Sequence, residues 1–142
     1  MPTEAADQLA PLPSSPHPLH LLQSKSQYDA GLFVIDLEHM PTGCGTWPAF
    51  WLVGPSWPYG GEIDIIEGVD DTSVVATTLH TNQGCSMYGQ DIFSYTGLME
   101  TYDCNVNAPG QEDNAGCGIL GELSLNHQSV IRPSSAFLTA VT

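Results

Sequence analysis

The chain has 142 residues, enough for one domain, and 42% of them are hydrophobic, which is within the globular range. Lys25 and Arg132 are its only basic residues against 16 acids, for a formal charge of −14. Nucleic acid and anionic membranes are excluded as partners, because binding either needs basic residues to displace counterions; no stretch reaches the length of a membrane span.

Residues 1–18 carry Pro2, Pro11, Pro13, Pro16 and Pro18 and read as an extended or disordered arm. Within it, residues 1–10 contain Glu4 and Asp7 and show neither the positive nor the apolar region of a secretory leader. A short strand is expected over 19–24. From Gly31, Phe33, Ile35 and Leu37 alternate with Val34, Asp36 and Glu38, which predicts a strand with one buried face. Residues 40–47 form a turn-rich loop with Pro41, Gly43, Cys44 and Gly45. Residues 49–53 predict another strand, with Phe50 and Trp51 on opposite faces. A loop over 54–61, holding Trp57 and Tyr59 among prolines and glycines, leads at once into an acidic strand. Residues 74–80 predict a strand rich in β-branched residues, in which His80 shares a face with Thr78 and Ala76. Residues 81–118 carry little periodicity and many Asn, Gly, Asp and Ser, so long loops with short strands are expected there. No helix and no repeat is visible, and short strands between turn signals imply an all-β sandwich.

The acidic strand is Gly61-Glu62-Ile63-Asp64-Ile65-Ile66-Glu67-Gly68. On a strand Glu62 and Asp64 share one face while Ile63 and Ile65 line the other. Strict alternation would put Glu67 on the apolar face, where an unpaired charge is costly. One extra residue at Ile65-Ile66, a β-bulge, returns Glu67 to the acidic face. Glu62 and Glu67 would then stand roughly 13 Å apart along the backbone, and side chains leaning together could close to the ~5–5.5 Å used in retaining glycoside hydrolysis. Asp64 between them would couple to both, so that one acid holds its proton. Trp47, Trp51, Trp57 and Tyr59 flank this strand, and their ring faces suit stacking on sugars. The competing interpretation is a solvated acidic face on an edge strand, placed there to block aggregation. His80, taken alone, fits a buried, hydrogen-bonded histidine better than a catalyst.

Cys44, Cys85, Cys104 and Cys117 form an even set without a C-x-x-C pair, so one or two disulfides are expected rather than zinc. The acids show no EF-hand spacing, and no cofactor motif is present. Paired cysteines and scarce lysine favour a secreted protein, whereas the N-terminal residues disagree, so the expectation is either a leader missing from this chain or a protein that stays inside.

The acidic run, with its E-x-D-x-x-E spacing, resembles the signature of glycoside hydrolase family 16. The runs Gly31-Leu32-Phe33-Val34-Ile35-Asp36 and His39-Met40-Pro41-Thr42-Gly43-Cys44-Gly45-Thr46-Trp47-Pro48-Ala49-Phe50-Trp51 are similar to its fungal endo-1,3(4)-β-glucanase, laminarinase-like branch, as are Thr78-Leu79-His80-Thr81 and Asn114-Ala115-Gly116-Cys117-Gly118. The resemblance implies a concanavalin A-like β-jelly-roll sandwich. It implies Glu62 as nucleophile, Glu67 as general acid/base and Asp64 as the electrostatic helper of the nucleophile. Trp51, Trp57 and His80 match cleft-lining positions, whereas Trp47 fits either the cleft or the loop scaffold. A neutral β-glucan substrate, an extracellular setting and a monomer without cofactor are implied as well.

The resemblance runs over about 24–119, which sets the expected organisation as a non-family arm over 1–22, a partial catalytic domain over 23–119 and a non-family tail over 120–142. Three functional outcomes follow for such a chain. They are an endo-acting retaining β-glucanase, a lectin-like glucan binder without turnover, or a truncated product without activity.

Overall fold

The structure, a computed structural model, describes residues 21–91, 95–122 and 136–141. Its strands are β1 (Leu21–Tyr28), β2 (Ala49–Val53), β3 (Glu62–Glu67), β4 (Val74–His80), β5 (Leu98–Met99), β6 (Cys117–Glu122) and β7 (Ala136–Val141). They make one seven-stranded sheet in the order β1-β7-β2-β3-β4-β6-β5, with every pairing antiparallel. No helix occurs among the described residues, in keeping with the all-β, jelly-roll class. The acidic strand β3 lies in the middle of this order, hydrogen-bonded on both sides. An edge-guarding role for its charges is therefore ruled out by topology, since a central strand has no open edge to guard.

The bulge is present. Phe50 pairs with Ile66 and Trp51 with Asp64, which leaves Ile65 without a counterpart on β2. On the other side Asp64 pairs with Thr78 and Glu67 with Ala76, so Ile65 and Ile66 together oppose Thr77. The Thr77 hydroxyl donates to the Ile65 carbonyl at 3.1 Å, bracing the distortion from β4. Below the sheet, Leu52 and Ile65 form the buried core, with Phe33, Phe50 and Ile63 packed against them.

The predicted strands over 49–53 and 74–80 occur as β2 and β4. The short strand expected over 19–24 is found as β1 from Leu21 and continues to Tyr28, because pairing with β7 extends it past its weak hydrophobic signal; residues 19 and 20 lie outside the described residues. The strand expected from Gly31 to Glu38 does not form: the segment is extended but has no ladder partner among the described residues. Phe33 alone packs on the core, edge-on to Tyr28, while Val34, Ile35 and Leu37 remain exposed. Alternation reports which residues could face a core, but a strand also needs a neighbour for its N–H and C=O groups. The described residues of 81–118 (81–91 and 95–118) are mostly loop, as expected, and one disulfide, Cys104–Cys117, closes their last part. Cys44 and Cys85 are free and exposed. The proline-rich arm over 1–18 lies outside the described residues.

Leu52, 1% exposed, is the most deeply buried aliphatic side chain of this face. Truncation by Leu52→Ala should destabilise the chain by about 2–5 kcal/mol in urea melts, through lost transfer energy and the cavity left behind. A loss well under 1 kcal/mol would show that Leu52 and Ile65 do not anchor the sheet.

Candidate active site

The bulge sets the register of the acids on both neighbours. Glu62, Asp64 and Glu67 oppose Val53, Trp51 and Ala49 on β2, and His80, Thr78 and Ala76 on β4. Both partner sets advance by two residues per step, so all three carboxylates share one face. Trp51, half-buried, stands on the same face opposite Asp64.

Each acid has a donor from a different element. Asp64, 4% exposed, pairs with His80 on β4, with His80 Nε2 3.0 Å from Asp64 Oδ2. The Trp57 indole N–H donates to Glu62 Oε2 at 2.5 Å. The Trp47 indole N–H donates to Glu67 Oε1 at 2.6 Å.

Two loops put the indoles there. The β2–β3 hairpin folds tightly enough that a Cβ on Gly54 would lie 2.2 Å from the Gly60 carbonyl oxygen, so two backbones meet where a side chain cannot fit. The Gly54 N–H donates to the Gly61 carbonyl at 2.8 Å, closing the loop and bringing Trp57 back over the Glu62 end of β3. The loop before β2 is tied to the exit of β3: the Gly68 N–H donates to the Pro48 carbonyl and the Asp70 N–H to the Thr46 carbonyl, each at 2.9 Å. Trp47, between these two anchors, reaches the Glu67 end.

His80 is supported from behind. Its Nδ1 is buried without a hydrogen-bond partner among the described residues. A Cβ on Gly116 would lie 2.8 Å from that nitrogen, so only glycine lets this loop pack against the ring. Gln111 Nε2 holds the Gly116 carbonyl at 2.9 Å, and Cys117 is disulfide-bonded to Cys104.

The electrostatics of the group share one direction. Burial raises the pKa of Glu62, with the Asp64 charge adding to it; His80 and the Trp57 N–H pull the other way without cancelling the rise. Glu67 is likewise raised by burial first; the Trp47 N–H opposes, Asp64 adds and His80 opposes. For His80, burial disfavours the charge, but the hydrogen bond and charge of Asp64, followed by Glu62 and Glu67, outweigh it and leave the imidazole raised. Two half-buried carboxyls with raised pKa values, beside an acid paired to a histidine, form a cluster in which one glutamate in its protonated form can donate a proton and the other in its ionised form can attack. No group of side chains suited to holding a metal ion occurs among the described residues.

All the residues singled out from sequence (Glu62, Asp64, Glu67, Trp51, Trp57 and His80) thus lie on or over one face. Sequence reasoning left Trp47 undecided and missed the Asp64–His80 pair; the pair could have been found by counting β4 against β3 from the bulge. The family model of the XgeA-like, catalytic GH16 domain matches residues 20–129. This chain belongs to glycoside hydrolase family 16.

Relatives within family 16 agree. The chain is 50% identical over 97 residues to an endo-1,3(4)-beta-glucanase of Arthroderma benhamiae, covering 68% of this chain and 21% of that protein. It is 45% identical over 102 residues to the endo-1,3(4)-beta-glucanase xgeA of Emericella nidulans, covering 71% of this chain and 15% of that one. Among solved structures, the GH16 Laminarinase 16A of Phanerochaete chrysosporium, with two beta-glucans in its donor and acceptor sites, matches with a TM-score of 0.62 and 45% identity, over 70% of this chain and 32% of that chain. The chain spans about a quarter or less of the length of the curated relatives it matches.

The pKa directions fix the sign of a pH effect. Glu62 and Glu67 keep protons in the fold that the unfolded chain releases near 4.5, so their contribution is present at low pH and lost as pH climbs through the folded values. His80 contributes fully below 6.5 and loses that contribution as pH rises through its own raised value. All three slopes agree, so the melting temperature by circular dichroism should fall from pH 5 to pH 8. The variant Glu62→Gln/Glu67→Gln should flatten that fall; a wild-type profile that rises over this range contradicts the reading. His80→Ala leaves the Asp64 charge buried without its partner and should cost about 3–5 kcal/mol in urea melts at pH 6.

Proposed function

We propose that this face carries the machinery of an endo-acting, retaining β-glucanase that cleaves 1,3- or mixed 1,3/1,4-β-glucosidic bonds in neutral glucans. The observation that carries the proposal is the bulged register, which sets Glu62 and Glu67 on one face with Asp64 between them and a separate donor on each. The endo-1,3(4)-beta-glucanase relatives and the beta-glucan-bound laminarinase support the substrate class. The charge of −14 is compatible with a neutral polymer and opposes an anionic one.

In this mechanism a Glu62 carboxylate oxygen attacks the anomeric carbon as the bond to the leaving sugar breaks. Glu67 gives its proton to the departing oxygen. The resulting glycosyl ester is cleaved by water, which loses a proton to Glu67 as it attacks, freeing Glu62 with net retention. Asp64, pinned by His80, supplies a fixed charge beside the nucleophile, and Trp51 and Trp57 offer ring surface to the sugar. We further infer an extracellular setting, since a disulfide between Cys104 and Cys117 persists in an oxidising compartment.

The purified chain should release reducing ends from laminarin or barley glucan, and Glu62→Ala should reduce the rate to background. Glu67→Ala should cut turnover of the natural glucan by about 10²–10⁴ while sparing aryl glycosides whose leaving group needs no proton. Glucan affinity without turnover, undiminished in Glu62→Ala, would instead mark a lectin-like binder. Equal losses on natural and activated substrates would overturn the assignment of Glu67.

A further inference from the structure

We propose that Trp47 is a positioning residue for Glu67: its indole N–H fixes one carboxyl oxygen and leaves the other as the site that carries and transfers the proton. The inference deepens the proposed function and rests on the assignment of Glu67 as acid/base.

Trp47 is 60% exposed, so core burial does not explain its placement. Its backbone neighbours are nevertheless held on both sides. Thr46 and Pro48 each accept a hydrogen bond from the chain just beyond Glu67, and Asp70 Oδ1 also accepts from the Gly45 N–H at 2.6 Å. Ala49 pairs directly with Glu67. The loop is thus fastened to the strand that carries the acid, and the indole spans the gap with a 2.6 Å bond to Oε1.

The chemistry of the donor matters as much as its place. An indole N–H donates only and does not titrate, so Oε1 stays an acceptor in both protonation states. The proton of the neutral acid is therefore confined to Oε2. Little else on this face could perform that task. Glu67 shares its strand face with Glu62 and Asp64, which are acids, and His80 on β4 has its Nε2 committed to Asp64. Neither β2 (Ala49–Val53) nor β7 (Ala136–Val141) contains a titratable residue. Trp57 stands in the same relation to Glu62, which supplies an internal control.

The decisive experiment is a carbon-13 NMR titration of the glutamate carboxyls in the intact chain, which needs no turnover. In Trp47→Phe the Glu67 midpoint should rise by about one pH unit, because a donor to the ionised form is lost while burial and Asp64 remain. The Glu62 midpoint should stay in place, and Trp57→Phe should show the reverse pattern. In the unmutated chain the Trp47 indole N–H resonance should move with the Glu67 titration, and Glu67→Gln should abolish that movement. An unchanged Glu67 midpoint in Trp47→Phe, or an indole signal blind to Glu67, overturns the proposal. If the chain cleaves glucan, Trp47→Phe should lower kcat on natural glucan about tenfold with KM held, and affect activated aryl glycosides less. A raised KM with kcat intact would make Trp47 a sugar platform instead and also overturn it. Absence of hydrolysis by the unmutated chain sinks the proposed function while leaving the NMR result to judge Trp47.

Discussion

A regular strand through Glu62-Ile63-Asp64-Ile65-Ile66-Glu67 would send its last carboxylate under the sheet, beside Leu52. The single residue added at Ile65 is what prevents this, and the rest of the site follows from it. With Ile65 and Ile66 sharing Thr77 as their counterpart, Ile65 joins the core and Glu67 returns to the open face. An ionised carboxylate without a partner in an apolar layer costs several kcal/mol, far more than one distorted step of the ladder. Because β3 is central, the distortion is enclosed on both sides and cannot relax by sliding along an edge.

Collecting acids on one face creates a second problem, which is like-charge repulsion in a chain with only two basic residues. Among the described residues the repulsion is met without lysine or arginine. Two neutral indole donors and one imidazole are distributed one per acid, from two loops and a strand. Neutral donors have a chemical consequence. A guanidinium against either glutamate would drive its pKa far down, whereas an N–H dipole orients the carboxyl and lets burial keep it raised. Only Asp64, the most enclosed of the three, is matched with a group that can carry charge.

Much of the loop that follows β4 serves this arrangement from outside the site. Cys104 accepts from the Thr81 N–H through its carbonyl and Cys117 pairs with Leu79, so the disulfide joins segments on both sides of His80. Gln111 bonds Asp103 and Gly116 together, and Gly116 fills the space behind the ring. A histidine held this way has little freedom to turn from Asp64. The stretch looked structureless in sequence because side-chain hydrogen bonds and a covalent bridge, rather than hydrophobic period, hold it in shape.

The sequence by itself determined the strands β2, β3 and β4, the bulge and the identity of the three acids. These are legible because period-two alternation and its single violation are local: they need only the neighbours along the chain. Residues 31–38 show the limit, since their alternation matches a strand while no ladder partner stands beside them among the described residues. Which donor serves which acid was likewise decided only by tertiary structure. Trp47 lies 20 residues from Glu67 in the chain and His80 lies on another strand from Asp64, and their meeting depends on register and loop closure that no local pattern encodes.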